Sequence, residues 1–141
     1  GYSRYVLGSV KKAHLLSYLL RSYEAIKMQW FMKCLNQYAD FSGRARRQEY
    51  WMFSLFYMIF VAAAVIVDVI LSMPIFTLLF MLGVMIPSLS VMVRRLHDTD
   101  RSGWWCLVTL VPFVGGFILL FFLCVEGTQG VNRFGSNPKA S

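Results

Sequence analysis

His97 and Asp98 are adjacent in the sequence, and their side-chain types come nearest to acid–base chemistry. Asp40, Glu49 and Asp100 are further carboxylates that a folded chain could bring beside them. No two histidines stand at the helical spacing typical of a metal site. Carboxylates among several arginines more often neutralise and brace them. We therefore interpret Glu49, His97 and Asp98 as bracing residues, and we predict no catalytic residue, no metal ligand and no cofactor.

Two clusters of arginine lie close to these groups in the sequence. The clusters are Arg44, Arg46 and Arg47, and Arg94, Arg95 and Arg101. The planar fork of arginine suits phosphate, and a basic residue near anionic lipid contributes about 1 kcal/mol. Arginines also hold a loop on the cytoplasmic side of a membrane. We expect both roles, so that all six orient the chain and contact lipid head groups or a partner.

The segments that must position these charges are strongly apolar. The chain has 141 residues, of which 57% are hydrophobic and 15% charged, and its mean hydropathy is +0.56. This composition excludes disordered, collagen-like, coiled-coil and disulfide-stapled classes. Uncharged runs cover residues 50–67, 69–93 and 102–125. Each run is long enough to cross a membrane, because a hydrocarbon core of about 30 Å needs roughly 20 helical residues.

We therefore predict an all-α membrane protein with three transmembrane helices, a helical hairpin followed by a third span. The spans are expected at about residues 50–72, 74–93 and 104–125. Pro87 removes one backbone hydrogen bond and should bend the second span, and neighbouring helices are candidates to satisfy the carbonyl that it frees.

An amphipathic segment begins at Met28 and ends near Tyr38. It is predicted to be an interfacial helix in the plane of the bilayer. The same apolar stripe could instead pack on the ends of the spans, and the sequence favours neither arrangement. Tryptophan is typical of the membrane interface. Four residues are expected to act as interfacial anchors: Trp30, Trp51, Trp104 and Trp105.

The chain divides into a membrane domain and two flanking segments. Residues 28–138 form the predicted three-span domain, and residues 1–27 are an N-terminal extension of uncertain status. A stripe in this extension suits a membrane surface or a partner; it consists of Leu15, Leu16, Leu19, Leu20, Tyr23 and Ile26. Residues 126–141 are predicted to form an exposed C-terminal tail, because they are rich in Gly, Asn and Ser.

The distribution of charge predicts an orientation. Fourteen Lys and Arg against seven Asp and Glu give a net charge of +7, which in a soluble protein would suggest nucleic acid. The apolar runs favour a membrane instead, so no nucleic-acid partner is predicted. Basic residues concentrate before the first run and in residues 94–101, whereas residues 72–74 carry none. The positive-inside rule then predicts a cytoplasmic N-terminus and, with three spans, a C-terminus on the outer side.

Asp68 is the one acid inside an apolar run. At the bilayer centre an aspartate costs about 2.5 to 3.5 kcal/mol and often marks a proton or ion path. Because Asp68 is close to the predicted turn between the first two spans, we favour an interfacial position.

Two long motifs and the tail carry a family resemblance. Residues 43–51 read GRARRQEYW, residues 94–105 read RRLHDTDRSGWW, and residues 132–138 read NRFGSNP. From about Met28 to Pro138 the chain resembles the YhaH-type family, small bacterial inner-membrane proteins of unknown function. The resemblance implies a multi-pass protein of the bacterial inner membrane, with a periplasmic C-terminus under the three-span prediction. The family usually has glycine at the position of Asp100 and usually begins near Met28.

These observations predict a small polytopic inner-membrane protein that is not an enzyme. We expect an interaction or accessory component whose basic cytoplasmic face contacts anionic lipid, either as a homo-oligomer or with another membrane protein. The alternative is an oligomeric transporter or channel subunit, which needs close helix contacts. Candidate contact points are Ala62, Ala63, Ala64, Gly83, Gly115 and Gly116. An enzyme acting on phospholipid is a third hypothesis, with His97 and Asp98 as its named groups.

Overall fold

The computed structural model describes residues 2–140, with side chains from Leu7 onward. Gly1, the first residue of the predicted extension, and Ser141, the last residue of the predicted tail, lie outside the described residues. The regular elements are the helices α1 (Tyr2–Asn36), α2 (Arg47–Leu71), α3 (Phe76–Asp98) and α4 (Gly115–Cys124), and a 3₁₀ helix (Gly103–Leu110). The predicted all-α class is confirmed for this part of the chain.

Helices α2 and α3 are long and apolar enough to cross a membrane. Their apolar side chains are mostly exposed, as in Ile70 and Leu79. This exposure is typical of helices that face lipid rather than the core of a soluble protein. The two helices correspond to the predicted spans at 50–72 and 74–93.

Asp68 holds the turn between α2 and α3. Its two carboxylate oxygens accept hydrogen bonds from the backbone N–H groups of Phe76 and Thr77, both over 2.9 Å. The first N–H groups of a helix have no partner within the helix, so a carboxylate there stabilises the helix start. Asp68 therefore acts as the cap of α3.

The predicted third span is not one helix. The 3₁₀ helix of eight residues leads to a turn at residues 111–114, and α4 of ten residues runs back beside it. Phe113 reverses the chain with a φ of +68°. The arms are about 16 Å and 15 Å long, half of a hydrocarbon core of about 30 Å. The prediction of a third transmembrane helix at about residues 104–125 is therefore wrong, because two short antiparallel arms occupy this segment, which we call the 103–124 hairpin.

Two of the proposed helix contact points are used inside the chain. A Cβ atom on Gly115 would collide with the backbone carbonyl of Val108, so this glycine allows the two arms of the hairpin to approach. The carbonyl of Gly83 accepts a hydrogen bond from the hydroxyl of Tyr38 over 2.5 Å. Pro87 lies four residues after Gly83 and has no N–H to offer this carbonyl.

The C-terminal part of α1 packs across α2 and α3. The ring of Phe31 stacks on Phe53 with centroids 5.5 Å apart, and Cys34 is fully buried beside them. The predicted stripe of residues 28–38 therefore contacts the helical pair, and the helix that carries it continues back to Tyr2. The side chains of residues 7–29 are largely exposed, including the stripe from Leu15 to Ile26.

Candidate functional site

Glu49 forms ion pairs with two cations at the end of the molecule opposite the α2–α3 turn. The Glu49 side chain is fully buried at the start of α2. Its Oε1 accepts a hydrogen bond from Nη1 of Arg94 over 2.7 Å, and its Oε2 accepts one from Nζ of Lys33 over 2.9 Å. The same Arg94 nitrogen donates to the side-chain oxygen of Gln37 over 2.7 Å. Glu49 thus joins α1, α2 and α3.

Cys34 lies against this ion pair. Its thiol donates a weak hydrogen bond to Oε1 of Glu49, with sulfur and oxygen 3.8 Å apart. Burial, followed by the charge of Glu49, raises the pKa of the Cys34 thiol to about 12. The thiol therefore stays protonated near neutral pH and is a poor nucleophile.

Asp98 forms the second buried charge group. Its Oδ1 accepts a hydrogen bond from Nε of Arg44 over 3.0 Å, and its Oδ2 accepts one from Nη1 of Arg95 over 2.6 Å. All three side chains are at least 95% buried. Removing one partner of such a group leaves an unpaired buried charge, which costs about 3 to 5 kcal/mol.

Backbone carbonyls at the end of α4 and in the chain after it accept further hydrogen bonds from these arginines. Arg44 donates to the carbonyl oxygens of Thr128 over 2.6 Å and Gly130 over 2.7 Å. Arg95 donates to the carbonyl oxygen of Leu123 over 3.1 Å and to that of Val125. The end of α4 and the chain after it therefore supply hydrogen-bond acceptors for both arginines.

His97 is held between the two ends of the domain. Its ring stacks parallel to Phe134 with centroids 3.8 Å apart, and its Nδ1 lies 3.0 Å from the carbonyl oxygen of Gly43. Since a carbonyl only accepts, Nδ1 carries the hydrogen in this contact. The side chain of Asn132 donates to the His97 carbonyl over 2.9 Å. His97 thus braces the fold through its ring and its backbone, as Asp98 does through its carboxylate.

Two predictions about this end of the molecule need correction. Arg44, Arg94 and Arg95 are at least 93% buried and bonded within the chain, so the predicted contact with lipid or a partner is wrong for these three. Thr128 and Asn132 are hydrogen-bonded to the end of α3. The tail and residues 94–101 therefore share one end, and the predicted separation of the C-terminus from this loop by the membrane is also wrong.

Three cations, of which Arg47 and Lys139 are exposed and Arg46 is half-buried, lie in a groove beside the start of α2. Arg46, Arg47 and Lys139 line it together with Trp51 and Met52, and its volume is about 510 Å³. We call it the cationic groove. Glu126 and Gln48 complete the lining.

One carboxylate lies among the cations of the groove. Glu126 accepts a hydrogen bond from Nη1 of Arg47 over 3.1 Å and another from Lys139. Lys139 and then Arg47 lower the pKa of Glu126 from its ordinary value, so it is charged at neutral pH. Three cations against one carboxylate leave the groove with excess positive charge.

The four predicted anchors have different environments. Trp51, Trp104 and Trp105 are exposed, as interfacial anchors must be. Trp30 is half-buried, and the guanidinium of Arg46 lies 5.8 Å from its ring centroid. Arg101 is half-buried and lies 4.2 Å from the ring centroid of Phe122, so it braces α4.

The candidate metal ligands do not converge. Across residues 2–140, no three His, Cys, Asp or Glu side chains are grouped so that they could hold a metal ion. Asp100 is directed to the tail instead, where its Oδ1 lies 3.2 Å from Nε of Arg133.

Lys33 and Gln37 were not predicted as partners of the Glu49–Arg94 pair, and the tail was not predicted as a structural element. Lys33 and Gln37 are four residues apart, which aligns them on one face of a helix. For the tail, the sequence shows only a glycine at position 127, and the structure is needed to show that a Cβ atom there would collide with the carboxylate of Asp98.

Two long exposed apolar helices with a charge-paired polar end are features expected of a helical membrane protein. The family model described as protein of unknown function DUF805 matches residues 38–136. The chain is 49% identical over 114 residues to inner membrane protein YhaI of Escherichia coli strain K12, covering 79% of this chain and 97% of that protein. It is 46% identical over 118 residues to inner membrane protein YhaH of the same strain, covering 79% and 98%. The chain belongs to the DUF805 family. No solved structure matches it.

Proposed function

We propose that this chain is a non-catalytic accessory protein of the bacterial inner membrane that holds anionic phospholipid at its cationic groove. In this proposal α2 and α3 cross the bilayer, and the 103–124 hairpin enters only one leaflet. The lengths of the helices support this arrangement, because α2 and α3 match the hydrocarbon core whereas each arm of the hairpin reaches about half of it.

Both ends of the described chain are cytoplasmic in this proposal. The exposed and buried arginines gather at the end that carries α1, residues 94–101 and the tail, whereas residues 72–75 carry no charge. The positive-inside rule favours the cytoplasm for such an end. After Ser141, a reporter that works only in the cytoplasm should be active and one that works only in the periplasm should be inactive. At residues 72–75 the opposite result is expected.

The cationic groove is the observation that carries the lipid proposal. Arg46 and Arg47 lie at the start of α2, and Lys139 of the tail lines the groove with them. Trp51 and Met52 form an apolar wall one turn further along α2. Phosphate on the cations and an acyl chain along Trp51 would match this order of polar and apolar groups. Arg94 is paired with Glu49, and Arg44 and Arg95 with Asp98, inside the protein, so the groove is where cationic side chains reach the surface.

The non-catalytic role is supported by the contacts of His97 and Asp98. The ring of His97 is stacked on Phe134, and both carboxylate oxygens of Asp98 accept from arginines. An acid–base pair needs groups that can reach a substrate, and these two are engaged in holding the tail.

The test uses the full chain extracted in mild detergent and measured by native mass spectrometry after incubation with phosphatidylglycerol and phosphatidylcholine. The double variant Arg47→Gln with Lys139→Gln should retain less phosphatidylglycerol. The expected loss is several-fold per charge, since each basic residue contributes about 1 kcal/mol. Arg133→Gln is the matched control, because Arg133 is exposed at the same end outside the groove. Equal retention by the double variant and the control would contradict the proposal.

A further inference from the structure

A pocket separate from the cationic groove lies along the C-terminal half of α3. Its volume is about 440 Å³, and Leu89, Val93 and His97 of α3 line it. These residues are four apart in the sequence, so they follow one another on one face of the helix over about 12 Å. The pocket, which we call the His97 pocket, therefore runs from an apolar stretch of α3 to its polar end.

The other walls of the His97 pocket are uncharged. They are formed by Phe41, which precedes α2, and by Ser102, Gly103, Trp104 and Cys106 at the start of the 103–124 hairpin. No Lys, Arg, Asp or Glu is among the described side chains that line it. A charged head group would lose water here without gaining a counter-ion, which is unfavourable. The lining therefore suits an uncharged ligand.

His97 supplies one free hydrogen-bond acceptor at the polar end of this pocket. The residue is 9% exposed, and its ring is held by Phe134 on one face and by the Gly43 carbonyl at Nδ1. A neutral imidazole carries one hydrogen, which here is on Nδ1, so Nε2 is an acceptor. Among the described residues no donor bonds to Nε2, and the atom is not fully enclosed by protein. The free edge of the ring is thus the part of His97 that is available to a ligand in the pocket.

We propose that the His97 pocket binds an uncharged membrane lipid that carries a free hydroxyl group. The hydroxyl donates a hydrogen bond to Nε2 of His97, and the apolar chain follows α3 past Val93 to Leu89. Ligand sites are typically apolar with a few placed polar groups, and a largely buried acceptor is costly without a donor. An acyl chain alone would leave Nε2 unpaired, whereas a hydroxyl satisfies it. Diacylglycerols and isoprenoid quinols both have this chemistry.

His97 holds the hydroxyl in this proposal and does not activate it. Both carboxylate oxygens of Asp98 accept hydrogen bonds from arginines, so the neighbouring acid does not support the imidazole as a general base. The inference therefore adds a lipid site to the proposed non-catalytic role, and it does not use the cationic groove.

The native cysteines of the full chain in mild detergent report whether the pocket is occupied. Cys106 lines the pocket, Cys124 is exposed and does not line it, and Cys34 is fully buried. At pH 8, above the usual imidazole pKa of about 6.5, N-ethylmaleimide should label Cys106 and Cys124 and leave Cys34 unlabelled. Peptide mass spectrometry gives the rate at each cysteine.

Dioleoylglycerol should slow the labelling of Cys106 and leave that of Cys124 unchanged. At about ten times its dissociation constant the expected effect is about tenfold, because only the empty fraction reacts. The acetyl ester of dioleoylglycerol is the matched control, since it has the same acyl chains but no hydroxyl to donate, and it should protect Cys106 several-fold less. Equal protection by the two lipids, or equal slowing at both cysteines, overturns the proposal.

Further lipids distinguish the source of the hydroxyl. Ubiquinol carries it on a ring, and ubiquinone is its counterpart without a hydroxyl hydrogen. Protection of Cys106 by dioleoylglycerol, by ubiquinol or by both supports the proposal and identifies the ligand class. Protection by neither, or equal protection by phosphatidylglycerol, overturns it.

His97→Asn tests the acceptor directly. The asparagine amide can still donate to the Gly43 carbonyl but has no acceptor at the position of Nε2. Protection of Cys106 by the hydroxyl lipid should fall several-fold, while Cys34 stays unlabelled if the variant is folded. A folded His97→Asn protein with the protection of wild type overturns the proposal.

Leu89→Trp decides the question if His97→Asn does not fold. The larger side chain should fill the apolar end of the pocket and abolish protection. Leu79→Trp is the control, because Leu79 is exposed on the same helix and does not line the pocket. The ratio of labelling rates with and without lipid is compared, so that shielding of Cys106 by the indole itself cancels. Equal protection in the two tryptophan variants overturns the proposal.

The two lipid proposals fail separately. Arg47 and Lys139 line the cationic groove and not the His97 pocket. The double variant Arg47→Gln with Lys139→Gln should therefore retain wild-type protection of Cys106 even where it loses phosphatidylglycerol. Loss of this protection in the double variant would contradict a separate site.

Discussion

The hydroxyl of Tyr38 donates a hydrogen bond to the carbonyl oxygen of Gly83 over 2.5 Å. In a regular helix this carbonyl would accept from the N–H of residue 87, but that residue is a proline. A side chain just beyond α1 thus satisfies the acceptor that Pro87 leaves free, and α3 continues as one helix through the proline. The contact also ties the end of α1 to the middle of a span.

Tyr38→Phe should destabilise the fold by about 1 kcal/mol, because the carbonyl of Gly83 loses its donor. In a Pro87→Ala background the alanine N–H can bond Gly83 instead, so the same substitution should have a smaller effect. Unfolding of the four proteins in mixed detergent and SDS micelles gives the coupling energy of this cycle. An effect of Tyr38→Phe that is equal in both backgrounds would contradict the link between Tyr38 and Pro87.

Gly127→Ala should displace the tail from the end of α3, since the added Cβ atom would collide with the carboxylate of Asp98 that two arginines hold in place. The expected destabilisation is about 1 to 3 kcal/mol. Limited proteolysis should cut the tail of this variant faster than that of wild type. Gly116→Ala is the control, because nothing lies within 4 Å of a Cβ atom there. Equal cleavage in both variants would show that this close approach does not matter.

Asp100 has a φ of +59°, a left-handed backbone conformation that glycine adopts without a Cβ clash. Asp100→Gly and Asp100→Ala both remove the exposed pair with Arg133. Because only alanine has a Cβ atom, Asp100→Ala should be less stable than Asp100→Gly by about 1 kcal/mol. Thr99 has a φ of −96°, so there Thr99→Ala should be more stable than Thr99→Gly. The same ranking at both positions would refute the backbone explanation.

Cys34 should make the stability of the fold depend on alkaline pH. Its pKa is raised from 9.0 to about 12, so the folded state holds the proton while the unfolded thiol ionises. Stability is therefore complete below pH 9 and is lost as the pH rises from 9 toward 12, by at most about 1.4 kcal/mol per pH unit. Lysines and tyrosines also titrate there, so the measurement is the difference between wild type and Cys34→Ala. A constant difference from about pH 8 to about pH 11 would argue against a protonated buried thiol.

The two long helices could be predicted from the sequence because an uncharged run of sufficient length has few alternatives in lipid. Their polar ends were also predictable, since Glu49 directly precedes the first apolar run and Arg94 directly follows the second. The third run was mispredicted because its hydropathy depends only on amino-acid composition. Hydropathy does not show whether the chain continues in one direction or turns back. A hairpin that returns to its starting side and a helix that crosses the membrane can be equally apolar. The reversal depends on the positive φ of Phe113, a backbone conformation that a phenylalanine rarely adopts.

The roles of the arginines could be predicted only in part. Charge alone does not distinguish a buried guanidinium from an exposed one, because burial depends on partners distant in the sequence. Arg44 is buried and donates hydrogen bonds to Asp98 and to the carbonyl of Thr128, whereas Arg46 is half-buried and lines the groove. The tail was predicted to be merely exposed, since backbone carbonyls have no sequence signature and any residue supplies one.

The bonds from Arg44 to the tail have a consequence for biosynthesis. The acceptor at Thr128 lies 84 residues after Arg44 along the chain, so it leaves the ribosome long after the first span has been made. Until then the guanidinium lacks acceptors that its buried position requires. A nascent chain that stops before residue 128 retains this incomplete end and exposes it to quality-control proteases, whereas the finished chain closes it.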